Sequence, residues 1–400
     1  MEDGVAAKAP PRNLGGSLPV PNVQDLAARI IDDDDQLITV LDRYLRPDVV
    51  VSSSSSSSVE DAAAAITDDD SSWSVPVVDL GRLLLDPDEL VRKEEAGKLR
   101  SACEDWGFFQ VVNHGVPAKV MDAMKDDLNR FFKLPLQEKL AVAQEAGGVE
   151  GYGQAFVVSE EQRLDYSDMY FLFTQPPEYR NLNLWPSSNP STFRDSMERY
   201  SVEVQRVATD LLRVMAKNLG LSSEAEKRLL TRVAAAQSMR MNYYPACPES
   251  HADKVLGLSP HSDAVGLTLL LQVTTTSPGL QIRRQGRWVP VAPLPGALIA
   301  NVGDVVEVLT NGKYKSVEHR AVVSASHERV SMAAFHTARF DDDAYGPLQE
   351  MMLDGGEQPR YRTMSVEDYV KLVFSSKLDG KKHHGRHEDQ SLPLTPLINH

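Results

Sequence analysis

From about Ala236 onward, the sequence is a series of short apolar runs separated by glycine, proline and Asn-Gly turns. The runs include SMRMNYYP, GLTLLLQV, LQIRRQGRWVPV, ALIANV and VSMAAFHTARF. Runs of this length and spacing are typical of strands joined by tight turns, and they indicate an antiparallel sandwich or jelly roll. Thr310-Asn311-Gly312-Lys313 predicts a hairpin, because Asn-Gly suits the left-handed positions of a type I′ turn.

The region before these strands mixes helices with a few strands. The segments PVVDL, from Pro76, and GFFQVV, from Gly107, predict strands. A long amphipathic helix is predicted to begin near Asn189 and Pro190 and to end at Gly220, because these residue types favour helix starts and helix ends. The predicted fold class is mainly β with packed helices, with an α/β region on the N-terminal side of a jelly-roll core.

Composition divides the chain into segments. Between about 49 and 73 it is rich in serine, alanine and aspartate, with too little apolar surface to offset the entropy of ordering. We interpret this stretch as a flexible insert. The predicted organisation is an N-terminal extension (1–73) that carries the insert, an N-terminal region (74–190), a helix followed by the jelly-roll core (191–350, strands from about 236), a C-terminal helix (351–378) and a flexible tail (379–400).

Charge and cysteine content argue against several classes of protein. The formal net charge of -15 disfavours nucleic acid, because a phosphate backbone requires a basic surface. Two cysteines are too few for a disulfide framework. We recognise neither a secretory signal nor an apolar run of the roughly 18 residues that span a bilayer. The sequence therefore predicts a reduced, monomeric cytoplasmic protein that binds neither nucleic acid nor membrane.

A histidine and an aspartate, His261 and Asp263, open one of the apolar runs, LSPHSDAVGLTLLLQ. Residues two apart on a strand share a face, and burying both without a partner would be costly. His319 follows the Asn-Gly turn and is the best placed further histidine. Two imidazoles and one carboxylate form the ligand set of non-haem Fe(II) oxygenases. The alternative is an ordinary ion pair, since His-x-Asp sequences also arise by chance.

A second pair of polar residues, Arg329 and Ser331, lies on the run that follows His319. An inward guanidinium is expensive in a β core unless it meets an anion, and its fork matches the two oxygens of a carboxylate. The alternative is a structural arginine that pairs with Glu307 or Glu318. Together with the metal ligands, the pair fits 2-oxoglutarate, which offers a keto-acid end to the metal and a far carboxylate to the arginine.

These motifs resemble those of the plant 2-oxoglutarate/Fe(II)-dependent dioxygenases that modify hormones and specialised metabolites. The similarity extends over about 74–377, and the matching motifs include PVVDL, WGFFQVVNHGV, FFKLPLQEKL, MNYYPACP, HSD, NVGDVVEVLTNGKYKSVEHR and RVS, with SLPVPNVQDLA and RYLRPD further upstream. The resemblance implies a double-stranded β-helix. The serine-rich insert, Tyr166 in place of a more usual tryptophan, and the basic tail depart from the family pattern.

The resemblance also implies roles for individual residues. It makes His261, Asp263 and His319 the iron ligands, and Arg329 and Ser331 the partners of the far carboxylate of 2-oxoglutarate. Further co-substrate contacts are implied for Tyr244 and Asn242, and Phe335 falls where relatives place an aromatic ring over the substrate, with His336 beside it.

The reaction implied is hydroxylation or oxidative demethylation of a small aromatic or alicyclic plant metabolite or hormone, with O2 and 2-oxoglutarate consumed and succinate and CO2 released. Two alternatives remain open at this point. One is an inactive relative that acts as a small-molecule-binding regulator. The other is a zinc hydrolase that uses the same three ligands, although such an enzyme would leave Arg329 and Ser331 unexplained.

Overall fold

The computed structural model of the protein describes residues 17–18, 20–30, 42–46, 73–145, 147–154, 157, 159–187, 190–274, 279–340, 344–353 and 358–375. Of the predicted insert (49–73), only Trp73 is among these residues, and the whole predicted tail (379–400) lies outside them. Among the described residues, no helix combines the length and the apolar character needed to cross a bilayer.

Helices and strands follow one another along the described part of the chain. The helices are α1 (Val23–Ile30), α2 (Leu80–Leu85), α3 (Glu89–Ser101), α4 (Ala118–Phe132), α5 (Leu136–Leu140), α6 (Phe193–Asn218), α7 (Ser223–Ala234), α8 (Glu249–Ala252), α9 (Asp304–Leu309), α10 (Glu350–Leu353) and α11 (Val366–Ser375). The strands are β1 (Val77–Asp79), β2 (Phe108–Val112), β3 (Gly151–Gly153), β4 (Asp168–Gln175), β5 (Ala236–Tyr244), β6 (Leu258–His261), β7 (Leu267–Gln272), β8 (Leu280–Arg284), β9 (Arg287–Pro290), β10 (Leu298–Val302), β11 (His319–Ala321), β12 (Arg329–Thr337), β13 (Ala344–Tyr345) and β14 (Met364–Ser365).

Two sheets form the core. The larger has eight strands in the order β1-β2-β10-β7-β12-β5-β4-β3, and the smaller has four in the order β6-β11-β8-β9. Apart from the parallel β1–β2 pair, the pairings are antiparallel. Apolar side chains from both sheets share one cluster, in which Phe108 and Ile299 meet Ile282 and Val289. This is the predicted jelly roll, and its larger sheet includes strands from the N-terminal α/β region.

Alternate residues of the strands in the larger sheet point outward, and many of these residues are apolar. Helices cover this outer face of the sheet. Met332 and Ala334 of β12 lie in one buried cluster with Tyr200, Val204 and Leu211 of α6. Ser331 and Phe335 therefore point the other way, toward the interior of the jelly roll. The predicted amphipathic helix is confirmed as α6. Its capping residue differs, since the helix begins after Thr192 and Asn189 lies outside the described residues.

The predicted hairpin at Asn311-Gly312 is wrong. The preceding segment DVVEVL forms a helix, α9, and a loop rather than a paired strand leads to β11. Asn311 and Gly312 both have positive φ values, 51° and 81°. The dipeptide thus adopts the predicted left-handed conformation, but it does so just beyond the end of a helix. Residues in this conformation commonly terminate the hydrogen bonding of a helix. The Gly312 amide donates to the Glu307 carbonyl at 2.8 Å.

Candidate metal centre and co-substrate site

Three side chains meet inside the jelly roll. One ligand atom from each of His261, Asp263 and His319 lies within 4.8 Å of the others, and all three residues are buried. His261 and His319 are direct cross-strand partners on β6 and β11. The Nε2 atoms of His261 and His319 lie 3.5 and 3.6 Å from Asp263 Oδ1. This set of donor atoms suits a divalent transition metal and leaves coordination positions open.

The shared strand face predicted for His261 and Asp263 is not what brings them together. Strand β6 ends at His261, and Asp263 lies in the loop that follows. That loop is held by the start of α9, where the Asp304 amide donates to the Asp263 carbonyl at 2.8 Å. Gly303 permits this approach, because a Cβ there would lie 2.1 Å from the Val265 carbonyl oxygen.

Outer hydrogen bonds aim each ligand at the centre. The Nδ1 atoms of His261 and His319 lie 2.8 and 3.1 Å from the carbonyl oxygens of Ser259 and Val317. A proton on Nδ1 leaves the lone pair on Nε2, which faces Asp263. Asp263 Oδ2 accepts from Thr268 Oγ1 at 2.6 Å and from Asn301 Nδ2 at 2.7 Å, so Oδ1 is the oxygen that faces the histidines.

The protonation states also suit metal binding. Burial and the neighbouring His261 lower the pKa of His319 to about 4, so its imidazole is neutral at pH 7. Burial alone would raise the pKa of Asp263, but His319, His261 and Asn301 hold it well below the usual range of a carboxyl group. A neutral imidazole and an ionised carboxylate are the forms that bind metal without first losing a proton.

Arg329 forms a second part of the site, and the alternative of a structural ion pair is not observed. Its Nη1 lies 3.3 Å from Ser331 Oγ, and its Nη2 donates to Gln272 Oε1 at 2.8 Å. Within the described part of the chain, no carboxylate pairs with this buried guanidinium and its Nε has no acceptor. Glu307 accepts from Ser316 and Tyr361, and Glu318 pairs with Arg283. A buried cation with an unused donor can bind an anion.

Tyr244 and Asn242 lie beside this cation on β5. The guanidinium carbon of Arg329 is 5.0 Å from the centre of the Tyr244 ring. Asn242 pairs with Ser331 across β5 and β12, and its Oδ1 accepts from Arg240 Nε at 3.0 Å. These residues and the arginine thus occupy one end of the interior face of the larger sheet.

Two glycines leave room for the side chains at this end. A Cβ at Gly279 would lie 2.7 Å from Arg329 Cδ and 2.8 Å from the Val322 carbonyl oxygen. A Cβ at Gly257 would lie 2.5 Å from Cδ1 of Tyr244. Cβ atoms do not approach other heavy atoms this closely, so a larger residue at either position would displace the arginine or the tyrosine.

A cavity opens beside His261 and Asp263, and its walls are mainly apolar. Phe335 lines it, together with Phe171, Phe173 and Met169 of β4 and Phe340. The far wall comes from helix α11 and its neighbourhood, through Tyr345, Val366, Tyr369, Val370 and Val373. Arg240 and Ser238 add polar groups to the lining.

His336, predicted to border the substrate cavity beside Phe335, does not line it. It lies on the outer face of β12, fully buried, with Nδ1 3.1 Å from the Leu267 carbonyl oxygen and Nε2 3.2 Å from Gln237 Nε2. Burial lowers its pKa to about 4. Adjacent residues on a strand point to opposite faces, so Phe335 and His336 cannot both face the cavity.

Several residues that support the site were not predicted. They are Thr268, Asn301 and Gln272, along with the cavity residues of α11. The three polar residues carried a usable signal, because each interrupts an otherwise apolar strand and a buried polar group needs a partner. Nothing local in SVEDYVKLVFS indicates which cavity the helix covers.

The sequence matches two families of domain. Residues 75–188 match the N-terminal domain of the non-haem dioxygenase in morphine synthesis, and residues 235–338 match the 2OG-Fe(II) oxygenase superfamily. S-norcoclaurine synthase 1 of Coptis japonica is 45% identical over 92% of this chain and 96% of that protein. Codeine O-demethylase of Papaver somniferum is 43% identical over 77% of this chain and 83% of that protein.

A solved structure extends the similarity to three dimensions. The crystal structure of JOX2 in complex with 2OG, Fe and JA is 34% identical, covers 92% of this chain and 97% of its own, and superposes with a TM-score of 0.75.

Proposed function

The chain belongs to the 2OG-Fe(II) oxygenase superfamily, and we propose that it hydroxylates or oxidatively demethylates a small, largely apolar plant metabolite. The observation that carries the proposal is the cavity that begins at His261 and Asp263 and continues between aromatic and aliphatic walls. A substrate seated there would present a carbon to the metal centre while its apolar body contacts Phe335 and α11.

The enzyme is a 2-oxoglutarate-dependent dioxygenase, so its cofactor is Fe(II) and its co-substrates are 2-oxoglutarate and O2. We assign Fe(II) to His261, Asp263 and His319, whose donor atoms and protonation states fit this ion. Bound iron supplies coupled oxidation, in which 2-oxoglutarate and O2 become succinate and CO2 while one oxygen atom enters a substrate C–H bond. Hydroxylation of an O-methyl group would then release the methyl carbon as formaldehyde.

The protein's own residues bind and orient the reactants. In this proposal Arg329, with Ser331 and Tyr244, holds the far carboxylate of 2-oxoglutarate, and Gln272 fixes the guanidinium from the opposite side. Asn242 supports the keto-acid end. Phe335 and the α11 residues exclude water from the substrate and hold its oxidised carbon toward Asp263.

The names of relatives suggest where to search for the substrate. A codeine O-demethylase and a flavonoid 7-O-demethylase, which is 40% identical, are named for rigid polycyclic molecules that carry methoxy groups. The apolar, aromatic lining of this cavity suits molecules of that shape.

The proposal is tested by measuring succinate release from iron-loaded protein with 2-oxoglutarate and a panel of alkaloids, flavonoids and plant hormones. We expect succinate release that depends on one class of substrate, together with a product that is heavier than the substrate by one oxygen atom or lighter by one CH2 unit. Protein that binds iron but releases no succinate with any member would favour a regulator. Turnover that persists without O2 and 2-oxoglutarate would favour a hydrolase.

Gly279→Ala should weaken the binding of 2-oxoglutarate, because its Cβ would overlap Arg329 and the fixed Val322 carbonyl. A shift of about 1 Å in a binding group can cost up to about 100-fold, and we expect a rise in the KM for 2-oxoglutarate of roughly 10- to 100-fold. The metal affinity should not change. Gly97→Ala is the matched control, since no atom lies within 4 Å of its added Cβ. Equal KM values in the two variants would contradict this prediction.

A further inference from the structure

The motif Arg43-Tyr44-Leu45-Arg46 lies far from the metal ligands in sequence but packs against the segments that lead to one of them. The Arg46 amide donates to the Lys254 carbonyl at 2.7 Å, and the Leu164 amide donates to the Arg43 carbonyl at 2.8 Å. Tyr44 is buried edge-on against Tyr166, with ring centres 5.8 Å apart. The motif therefore bridges the loop before β4 and the approach to β6.

The side chain of Arg46 closes a compact network there. Its Nη2 lies 3.1 Å from Asp165 Oδ1 and 2.7 Å from Ser259 Oγ. The Ser259 amide donates to the same Asp165 oxygen at 3.0 Å, and the Ser259 hydroxyl also bonds to it. The side chains of Arg46 and Asp165 are only 16% and 20% exposed, so water screens their attraction only in part.

Ser259 connects this network to the metal centre. Its carbonyl oxygen is the partner of His261 Nδ1, at 2.8 Å. Asp165 accepts hydrogen bonds from the amide and the hydroxyl of Ser259. The carbonyl of Ser259 in turn sets the tautomer and the direction of the His261 ring. The order of contacts is thus Arg46, Asp165, Ser259 and then the metal ligand.

We propose that Arg46 and Asp165 are positioning residues for His261, so that the upstream motif contributes to metal affinity. This inference rests on the proposed metal site. Outer partners of metal ligands are typically worth about 10- to 100-fold in affinity. Because Arg46 reaches His261 only through Ser259, directly and by way of Asp165, we expect Arg46→Ala to weaken metal binding by roughly 10-fold, the lower end of this range.

The test is calorimetric titration of the full chain with Mn(II) in the absence of 2-oxoglutarate and O2, which measures affinity without turnover. Arg46→Ala and Asp165→Asn should each weaken Mn(II) binding, and the double variant should be no weaker than the worse single variant, because both act through one network. Arg46→Lys should be intermediate, since a lysine places one point charge where the guanidinium reaches two acceptors.

Arg43→Ala is the matched control, because Arg43 belongs to the same motif but bonds to the Ser159 carbonyl instead. Wild-type affinity in Arg46→Ala, or an equal loss in Arg43→Ala, would overturn the inference. If Arg46→Ala does not fold, unchanged affinity in Arg46→Lys and Asp165→Asn overturns it in the same way. Failure of the wild-type protein to bind Mn(II) at all would instead contradict the proposed metal site.

Discussion

His319→Ala should abolish succinate release and lower metal affinity by more than about 100-fold, the upper end of what the loss of an outer partner costs. The reason is that His319 supplies one of three donor atoms that converge within 4.8 Å, and its neutral imidazole has no nearby substitute among the described residues. The measurements are calorimetric titration with Mn(II) and succinate formation with a substrate found in the panel.

His327→Ala is the matched control for this prediction. His327 lies on the loop between β11 and β12, is exposed, and bonds to the neighbouring Ser326. We expect it to keep the affinity and turnover of the wild-type protein. A His319→Ala variant that is folded by circular dichroism and binds Mn(II) as tightly as wild type would remove this residue from the proposed metal site.

Arg329→Met should raise the KM for 2-oxoglutarate by about 30-fold or more while the metal affinity stays unchanged. Truncating one partner of a buried charge pair costs about 2–5 kcal/mol, which corresponds to this factor or a larger one. Methionine keeps much of the side-chain volume and removes the charge. The KM of Arg329→Lys for 2-oxoglutarate should lie between those of the wild-type protein and Arg329→Met, because an ammonium group keeps the charge but cannot offer the paired donors of the guanidinium.

Arg329→Met should also lose the stabilisation that 2-oxoglutarate provides without lowering the stability of the ligand-free protein. Without 2-oxoglutarate, the buried Arg329 has no carboxylate partner among the described residues, so replacing it should leave the melting temperature unchanged or raise it. Added 2-oxoglutarate should raise the melting temperature of the wild-type protein but not of Arg329→Met. Arg283→Ala, which removes only an exposed arginine paired with Glu318, should keep the full ligand-induced rise. An equal rise in Arg329→Met would contradict the role of Arg329.

Strand patterns predict the jelly roll and the inward direction of Ser331, because alternation along a strand is a local property. The local structure around the metal centre was predicted less well. Asp263 reaches His261 through a loop held by the start of α9, and α9 ends just before Asn311-Gly312, where the sequence predicts a hairpin turn. The segment DVVEVL has strong strand propensity, and it becomes helical because its start packs against the loop of Asp263.

Other features depend on contacts between distant segments. The bonds of Thr268 and Asn301 to Asp263, and the bond of Gln272 to Arg329, require the register of β7, β10 and β12. That register is set by packing across the whole sheet rather than by any one stretch of sequence. The placement of α11 over the cavity is of the same kind.

The cavity wall formed by α11 affects how the substrate selectivity of such an enzyme can change during evolution. Val366, Tyr369, Val370 and Val373 come from a segment that supplies none of the proposed metal or co-substrate ligands. Selection can therefore change which molecule is accepted by altering this one helix, without disturbing the residues proposed to bind the metal and the co-substrate. An exchange of this helix between relatives would be a direct way to transplant selectivity while the oxidising machinery stays intact.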